Sequence, residues 1–170
     1  MKNRFLILSM VAATLFACSS DPMINDDFNE TAEKRKSVPI KIKKLVGTYQ
    51  LTGGDPATCG PAVLNAIGEG TVSHLGKSGL FEEWCFNGTI PDLGTRSVTI
   101  TAANGDELWG RIVEVISSPP FISFEEIVIF EGGTGRFEKA EGEFRQYVEL
   151  EPVSQFNGTF TLRGEGTFTY

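Results

Sequence analysis

The last thirteen residues constrain the fold more than any other part of the chain. The segment GTFTLRGEGTFTY alternates strictly between two kinds of side chain. One set is apolar or glycine: Phe160, Leu162, Gly164, Gly166, Phe168 and Tyr170. The other set is polar: Thr159, Thr161, Arg163, Glu165, Thr167 and Thr169. A period of two is typical of a strand with one buried face, so the chain is predicted to end in a half-buried β-strand.

Similar patterns recur along the chain from about Val38 onward, without a convincing amphipathic helix. Strands are predicted near residues 42–52, 62–73, 79–90, 96–103, 106–116, 121–131, 141–150 and 156–170. Asn-Gly pairs at 87–88, 104–105 and 157–158 are typical of hairpin turns. The pattern favours an all-β domain, a single antiparallel closed barrel of about eight strands, in which no sheet edge is exposed. A lipocalin-like barrel and a β-sandwich are the alternatives.

The N-terminus has the features of an export signal. Lys2 and Arg4 precede the apolar stretch FLILSMVAATLFA, which is shorter than the roughly 20 residues of a membrane-spanning helix. Residues 1–17 are therefore predicted to be a signal peptide. The stretch ends in LFAC, which resembles a bacterial lipobox, so Cys18 is predicted to become the first mature residue and to carry lipid. Ordinary secretion, with cleavage after Ala17, is the alternative.

Three regions follow from this interpretation: a signal peptide (1–17), the lipidated cysteine with a polar, flexible tether (18–40), and a β-barrel domain (41–170). The expected location is the bacterial cell envelope, with the protein anchored by its lipid to the outer membrane. Ser19, beside the lipidated cysteine, fits release to the outer membrane. Either the periplasmic or the outer face is compatible with the sequence.

Charge and cysteine content limit the partners and the redox state. The chain has 15 basic and 22 acidic residues, a net charge of −7, which argues against nucleic acid as a partner. Once lipid modifies Cys18, Cys59 and Cys85 remain, and disulfides persist in exported proteins. A bridge between them is predicted; two separate buried thiols are the alternative.

Motifs that bind phosphate, dinucleotides or metals fail on their spacing. Five residues separate Gly70 from GKS at 76–78, whereas a P-loop has four, and GGTGRFE at 132–138 lacks the third glycine of a dinucleotide fingerprint. His74 is the only histidine, which is too few for a histidine-rich zinc site. No cofactor, metal site or catalytic residue is predicted from these segments.

Polar residues in the middle of predicted strands are better candidates for a ligand site. The adjacent carboxylates Glu82–Glu83, Asp106–Glu107 and Glu125–Glu126 point to opposite faces of their strands and are predicted to lie on the solvated surface. The candidates for ligand contacts inside a barrel are Glu114, Arg145, Tyr147 and Trp109.

Three phrases resemble a known group of proteins: GTVSHLGKSG (70–79), TAANGDELWG (101–110) and EGGTGRFEKAEGE (131–143). They are similar to bacterial secreted proteins with one β-barrel domain, and the third also resembles plant dirigent proteins, relatives of allene oxide cyclase. The resemblance covers roughly residues 45–170. It implies an eight-stranded antiparallel barrel with an apolar cavity. In the plant proteins the barrel is often trimeric, and inward-facing acidic and aromatic residues guide or catalyse cyclisation or coupling; no catalytic residue of this chain is assigned from them. The resemblance also implies turn glycines at Gly132, Gly133 and Gly135, with Phe137 in the core.

Three functions are compatible with these observations. The leading hypothesis is a lipid-anchored barrel that binds a small apolar ligand or a protein partner, since a small barrel can hold one small ligand. The second is a cofactor-free cyclase or isomerase, which needs an inward carboxylate or tyrosine with a shifted pKa. The third is a structural or adhesion module with a filled barrel. Association into a homo-oligomer is compatible with each of them.

Overall fold

A computed structural model describes residues 37–55, 57–86, 91–117 and 122–170, with only the backbone described for 91–95. The predicted signal peptide, the predicted lipidation site at Cys18, most of the predicted tether and the Asn-Gly pair at 87–88 lie outside these residues. Among the described residues, no helix has the length and apolar character needed to cross a membrane.

The described chain forms a closed antiparallel β-barrel. Its strands are β1 (Ser37–Gly53), β2 (Ala62–Val72), β3 (Gly76–Phe86), β4 (Pro91–Thr101), β5 (Glu107–Ser117), β6 (Ser123–Gly133), β7 (Glu141–Pro152) and β8 (Asn157–Thr169). A 3-10 turn at Gly135–Phe137 lies between β6 and β7. Each strand pairs with the next, and β8 pairs with β1 to close the barrel. The predicted all-β closed barrel is confirmed, and the β-sandwich alternative is wrong.

β1 begins earlier than the sequence pattern suggested. Ser37 pairs with Thr169, and Ile40 is completely buried, so the barrel already includes the residues assigned to the end of the tether. Further along β1, the register shifts between Ile42 and Leu45, and both side chains are buried. A bulge of this kind lets two residues three positions apart face the same side of the sheet.

The connections between strands lie at the two ends of the barrel. We call the end formed by the β1–β2, β3–β4, β5–β6 and β7–β8 connections the upper end, and the opposite end the lower end. Every strand and every core residue of the described part of the chain lies between Ser37 and Tyr170. This segment therefore contains a complete barrel.

Aromatic side chains fill the lower half of the interior. Phe130 packs against Phe144 and Phe168, with ring centroids 6.2 Å and 6.0 Å apart. Below them, Phe137 is completely buried and lies 6.0 Å from Phe168 and 5.5 Å from Tyr170. The segment GGTGRFEKAEGE thus forms the predicted corner between two strands, with Phe137 as its anchor.

The Asn-Gly pairs fulfil different roles. Asn104–Gly105 lies in the β4–β5 connection, where Gly105 has φ +88°. Among the described residues only His74 is a non-glycine with positive φ, so Asn104 does not adopt the type I′ geometry. Asn157–Gly158 begins strand β8, and the turn lies before it, so the prediction of a turn at 157–158 is wrong. Glycine is needed there because a Cβ on Gly158 would lie 2.6 Å from the Tyr49 hydroxyl.

Candidate functional site: a polar cluster inside the barrel

Two predicted ligand contacts on β7 lie on the outer face of the barrel. The inward residues of this strand are Phe144, Gln146 and Val148, which are all buried. Successive side chains point to opposite faces, so Arg145 and Tyr147 point outward. Arg145 is exposed and Tyr147 is half-buried. Their assignment to the barrel interior was therefore wrong.

The predicted contacts on β5 are also on the outside. Leu108 faces the core and is completely buried, so Trp109 points outward and is 44% exposed. The indole N–H of Trp109 donates a 2.9 Å hydrogen bond to Glu107 on the same face. Glu114 is exposed, because a register shift between Ile112 and Glu114 changes the phase of the strand. Neither Trp109 nor Glu114 lines the interior.

Arg145 and Tyr147 instead border an open groove on the outer surface. The groove has a volume of about 400 Å³, and its lining also includes Lys41, Lys43, Glu125 and Arg163. Arg145 donates a 2.9 Å hydrogen bond to Glu125, and the Arg163 guanidinium lies 4.5 Å from the Tyr147 ring centroid. The groups in these exposed contacts are paired with each other, so they contribute little to the stability of the barrel and leave little for a ligand to recognise.

A different set of polar side chains occupies the interior. Glu82 on β3, Arg96 on β4, Glu126 on β6 and Gln146 on β7 are 4%, 4%, 0% and 1% exposed, respectively. Each takes the inward position of its strand, in phase with apolar neighbours such as Leu80 before Glu82. We call Glu82, Glu126 and Gln146 the interior triad, because hydrogen bonds join them directly.

Gln146 connects the two carboxyl groups of the interior triad. Its Nε2 donates hydrogen bonds to Glu82 Oε1 at 2.7 Å and to Glu126 Oε2 at 2.5 Å. Strands β3 and β7 are four strands apart in either direction around the barrel, so the bond to Glu82 crosses the interior. The other oxygen of Glu126, Oε1, is buried and has no hydrogen-bond partner among the described residues.

Aromatic and cationic groups lie beside the triad, toward the upper end. The Arg96 guanidinium lies 4.6 Å from the Trp84 ring centroid, a cation–π arrangement. Trp84 in turn meets the edge of Phe124, with ring centroids 5.5 Å apart. Trp84 and Phe124 are the inward residues next to Glu82 and Glu126 on their strands. The aromatic pair therefore lies between the triad and the upper end of the barrel.

Burial makes both carboxyl groups weak acids. It raises the pKa of Glu82 to about 7, although the Gln146 amide and the Trp84 indole N–H, which favour the ionised form, lower it in part. Burial also raises the pKa of Glu126 well above its usual value, and the nearby Glu82 charge raises it further. Gln146 and the positive charge of Arg96 act in the opposite direction. Both carboxyl groups of the triad therefore bind a proton at a higher pH than an exposed glutamate does.

The alternation of residues along the strands could have identified this site. Neighbouring residues on a strand point to opposite faces. In each of the pairs Glu82–Glu83 and Glu125–Glu126, one glutamate therefore points inward and the other outward. The prediction placed both glutamates of each pair on the surface, which is correct for Glu83 and Glu125 but wrong for Glu82 and Glu126. Spacing along the strand indicates the inward position, because residues two apart face the same side. Glu82 is two residues from the buried Trp84, and Glu126 is two residues from the buried Phe124.

The predicted cysteine pair is joined in the structure. Cys59, in the β1–β2 connection, forms a disulfide with Cys85 on β3, and their Cα atoms are 4.8 Å apart. The bond holds this connection against the outer side of β3, next to Trp84 in sequence. The Glu83 carboxylate lies within 4.8 Å of both sulfurs, but disulfide sulfurs are not the thiolates that bind metals.

Comparison of the chain with protein-family models, with curated proteins and with solved structures finds no match. Function is therefore inferred from the residues of the barrel itself.

Proposed function

We propose that this protein is a lipid-anchored β-barrel of the bacterial cell envelope that binds a small molecule in the upper half of its interior. The observation that carries the proposal is the Glu126 carboxyl group, which is completely buried and has one oxygen without a hydrogen-bond donor. Leaving a buried acceptor unsatisfied costs about 1–3 kcal/mol. A ligand that donates an N–H or O–H group to Glu126 Oε1 would remove this cost.

The interior triad also indicates the character of the ligand. Both hydrogen bonds of Gln146 Nε2 already go to carboxyl groups, so it has no N–H left for Glu126 Oε1. The neighbouring Trp84 and Phe124 rings provide an apolar surface for the body of the ligand. We therefore replace the expectation of a purely apolar ligand by a small, mainly apolar molecule with at least one hydrogen-bond donor.

The anchor is proposed from the N-terminal sequence. Lys2 and Arg4, the apolar stretch and LFAC together support export and attachment of lipid to Cys18. Growth with a palmitate analogue that carries an alkyne group should label the wild-type protein. Cys18→Ser should abolish the label, and Cys59→Ser should leave it. A label that persists in Cys18→Ser would refute lipidation at this residue.

Bound small molecules can be identified directly. The native protein is purified, its mass is measured under non-denaturing conditions, and released molecules are analysed after denaturation. We expect one bound species in the wild type, its loss in Glu126→Leu, and its retention in the surface control Glu125→Leu. Absence of a ligand from the wild type, or the same ligand in Glu126→Leu, would contradict the proposal.

A second function, a cofactor-free enzyme that transfers protons, is favoured by one observation. Glu82, whose pKa is raised to about 7, shares the Gln146 amide with Glu126, whose pKa is also raised well above its usual value. One carboxylate can then accept a proton from a substrate carbon while a neutral carboxyl donates a hydrogen bond to the developing oxyanion. Such a reaction would introduce deuterium from D₂O into enolisable ketones, measured by mass spectrometry. Glu82→Gln should abolish the deuterium exchange and Glu83→Gln should preserve it. Equal exchange rates in the two variants would eliminate the enzyme function.

We also propose a relationship to the dirigent-like barrels. It is supported by the eight-stranded antiparallel barrel, by the 3-10 turn at Gly135–Phe137 and by the complete burial of Phe137.

A further inference from the structure

The connections at the two ends of the barrel differ in the number of charged residues that they contain. The upper-end connections are residues 54–61, 87–90, 118–122 and 153–156, and Asp55 is the only charged residue in their sequences. The lower-end connections, residues 73–75, 102–106 and 134–140, contain Asp106, Arg136, Glu138 and Lys139. Asp55 accepts a hydrogen bond from the Ala57 backbone at 2.9 Å, so its carboxylate is engaged within its own connection.

Large apolar side chains are exposed at the upper end, whose connections contain a single charged residue. Val153 is 78% exposed, Phe156 55%, and Ile116 and Ile122 47% each. We call these four residues the apolar rim. Ile116 and Ile122 flank the β5–β6 connection, while Val153 and Phe156 lie in the β7–β8 connection. Exposed apolar groups clustered at one end of a protein mark an interaction surface.

Backbone hydrogen bonds hold the rim in place. The Phe156 carbonyl accepts from the Leu51 N–H at 2.7 Å, and the Ile122 carbonyl accepts from the Leu150 N–H at 2.7 Å. The Val153 N–H donates to the Asn157 carbonyl at 3.0 Å. The backbones of Ile122, Val153 and Phe156 are thus hydrogen-bonded, while their side chains remain exposed. A rigid apolar surface loses little conformational freedom when it binds.

We propose that the apolar rim inserts into the surface of a lipid bilayer, so that the upper end of the barrel faces the membrane. With Asp55 as the single charged residue of these connections, the end offers a charged partner little that is complementary, whereas apolar side chains on nearly uncharged loops suit the boundary between lipid headgroups and acyl chains. The nearest acid on β7, Glu151, accepts a hydrogen bond from Thr159 at 3.3 Å and lies before the loop rather than at its tip.

The length of chain before the barrel permits this orientation. β1 starts at the lower end, and 18 residues separate Cys18 from Ser37. At up to about 3.3–3.6 Å per residue this segment can span about 60 Å. The 13 residues of β8, tilted as in other barrels, rise only about 30 Å. The anchored Cys18 and the rim can therefore contact the same bilayer.

This inference rests on the proposed function, and it adds the source of the ligand. Molecules that are mainly apolar concentrate in membranes. A rim inserted at the bilayer surface places the Trp84–Phe124 pair, and the interior triad behind it, next to that supply. The barrel would then take its ligand from lipid rather than from water.

Vesicle binding tests the rim without the lipid anchor. The chain from Ser19 to Tyr170, which contains the complete barrel, is sedimented with phosphatidylcholine vesicles. Removing two exposed apolar side chains in Val153→Ser/Phe156→Ser should weaken binding about tenfold or more. The control Ile67→Ser/Phe81→Ser removes exposed apolar groups from a cross-strand pair on the outer face and should bind like wild type. Absence of wild-type binding, or equal weakening in both variants, would overturn the proposal and favour a protein partner for the rim.

Insertion depth provides an independent measurement. Wild type, whose only tryptophans are Trp84 and Trp109, gives the baseline emission. The emission gained in Phe156→Trp should be quenched by phosphatidylcholine with brominated acyl chains, whereas the emission gained in the control Phe81→Trp should not. Glu126→Leu should bind vesicles normally. Val153→Ser/Phe156→Ser, when it is purified from detergent, should still hold the small molecule that is found in wild type. Failure of membrane binding is thereby separated from failure of the interior site. Equal quenching at positions 156 and 81 would contradict a rim that faces the membrane.

Discussion

Gln146 and Glu82 meet across the barrel interior through a 2.7 Å hydrogen bond, although they are 64 residues apart in sequence. The same amide nitrogen also donates to Glu126, on the strand next to Gln146. Two carboxyl groups from opposite sides of the barrel therefore depend on one side chain. The upper half of the interior is organised by this contact, whereas the lower half is organised by packed aromatic rings.

Removing the amide should destabilise the protein. Gln146→Leu would leave both carboxyl groups without the donor that they share, and each unsatisfied group costs about 1–3 kcal/mol. We expect urea denaturation to show a loss of about 2–4 kcal/mol. The outward neighbour provides the control, because Arg145→Leu removes only an exposed ion pair and should cost less than about 1 kcal/mol. If both substitutions had the same effect, the triad would not stabilise the barrel.

The raised pKa of Glu82 should make stability depend on pH. A carboxyl whose pKa is higher in the folded than in the unfolded state binds its proton more tightly when folded. The contribution of Glu82 is therefore greatest below pH 4.5 and decreases as the pH rises to about 7. Over this interval wild type should lose up to about 3 kcal/mol relative to Glu82→Gln, which cannot ionise.

Denaturation of both proteins between pH 4 and 8 measures this difference. The surface variant Glu83→Gln serves as the control and should follow the wild-type curve. Parallel curves for wild type and Glu82→Gln would show that Glu82 titrates as an ordinary exposed carboxyl.

Gly135 should resist substitution because of its backbone conformation. Its φ of +54° is unfavourable for a β-branched residue, and an added Cβ would meet the Asp106 carboxylate. Gly135→Val should therefore lower the free energy of unfolding by about 2 kcal/mol or more, while ligand binding by the folded protein stays unchanged. Thermal unfolding provides the measurement.

Gly79→Val is the matched control, since an added Cβ there meets nothing within 4 Å and Gly79 lies in a strand, where valine is favoured. Gly79→Val should leave the free energy of unfolding unchanged or raise it slightly. Unchanged stability of Gly135→Val would contradict the role of this glycine as the corner of the β6–β7 connection.

Breaking the disulfide should destabilise the barrel without changing its topology. Cys59 and Cys85 are separated by 26 positions, and closing a loop of this length stabilises a protein by about 3–4 kcal/mol in the chain-entropy model. Cys59→Ser/Cys85→Ser should unfold at a lower temperature than wild type, and a reducing agent should lower the midpoint of wild type alone. Reductant that affected both proteins equally would indicate that the bond does not cause the difference.

Much of the fold was predictable because alternation is a local property. The pattern in residues 158–170 marks β8, and similar patterns identify the other strands, including the antiparallel order that short turns impose. The candidate site was harder to predict, because the inward phase has to be known for every strand. Bulges near Ile42 and Glu114 change that phase, and Glu126 looks like a surface residue when it is considered with Glu125.

The sequence by itself determined an all-β barrel, its glycine corner and the cysteines available for a disulfide, because these depend on residue periodicity, turn chemistry and composition. Only the tertiary structure decided that Glu82, Glu126 and Gln146 share one space and that the apolar rim gathers at the end opposite the charged connections. The physical reason is closure of the sheet. Closing the barrel brings β3 opposite β7 and excludes water from the space between them, so that carboxyl groups distant in sequence become neighbours with raised pKa values.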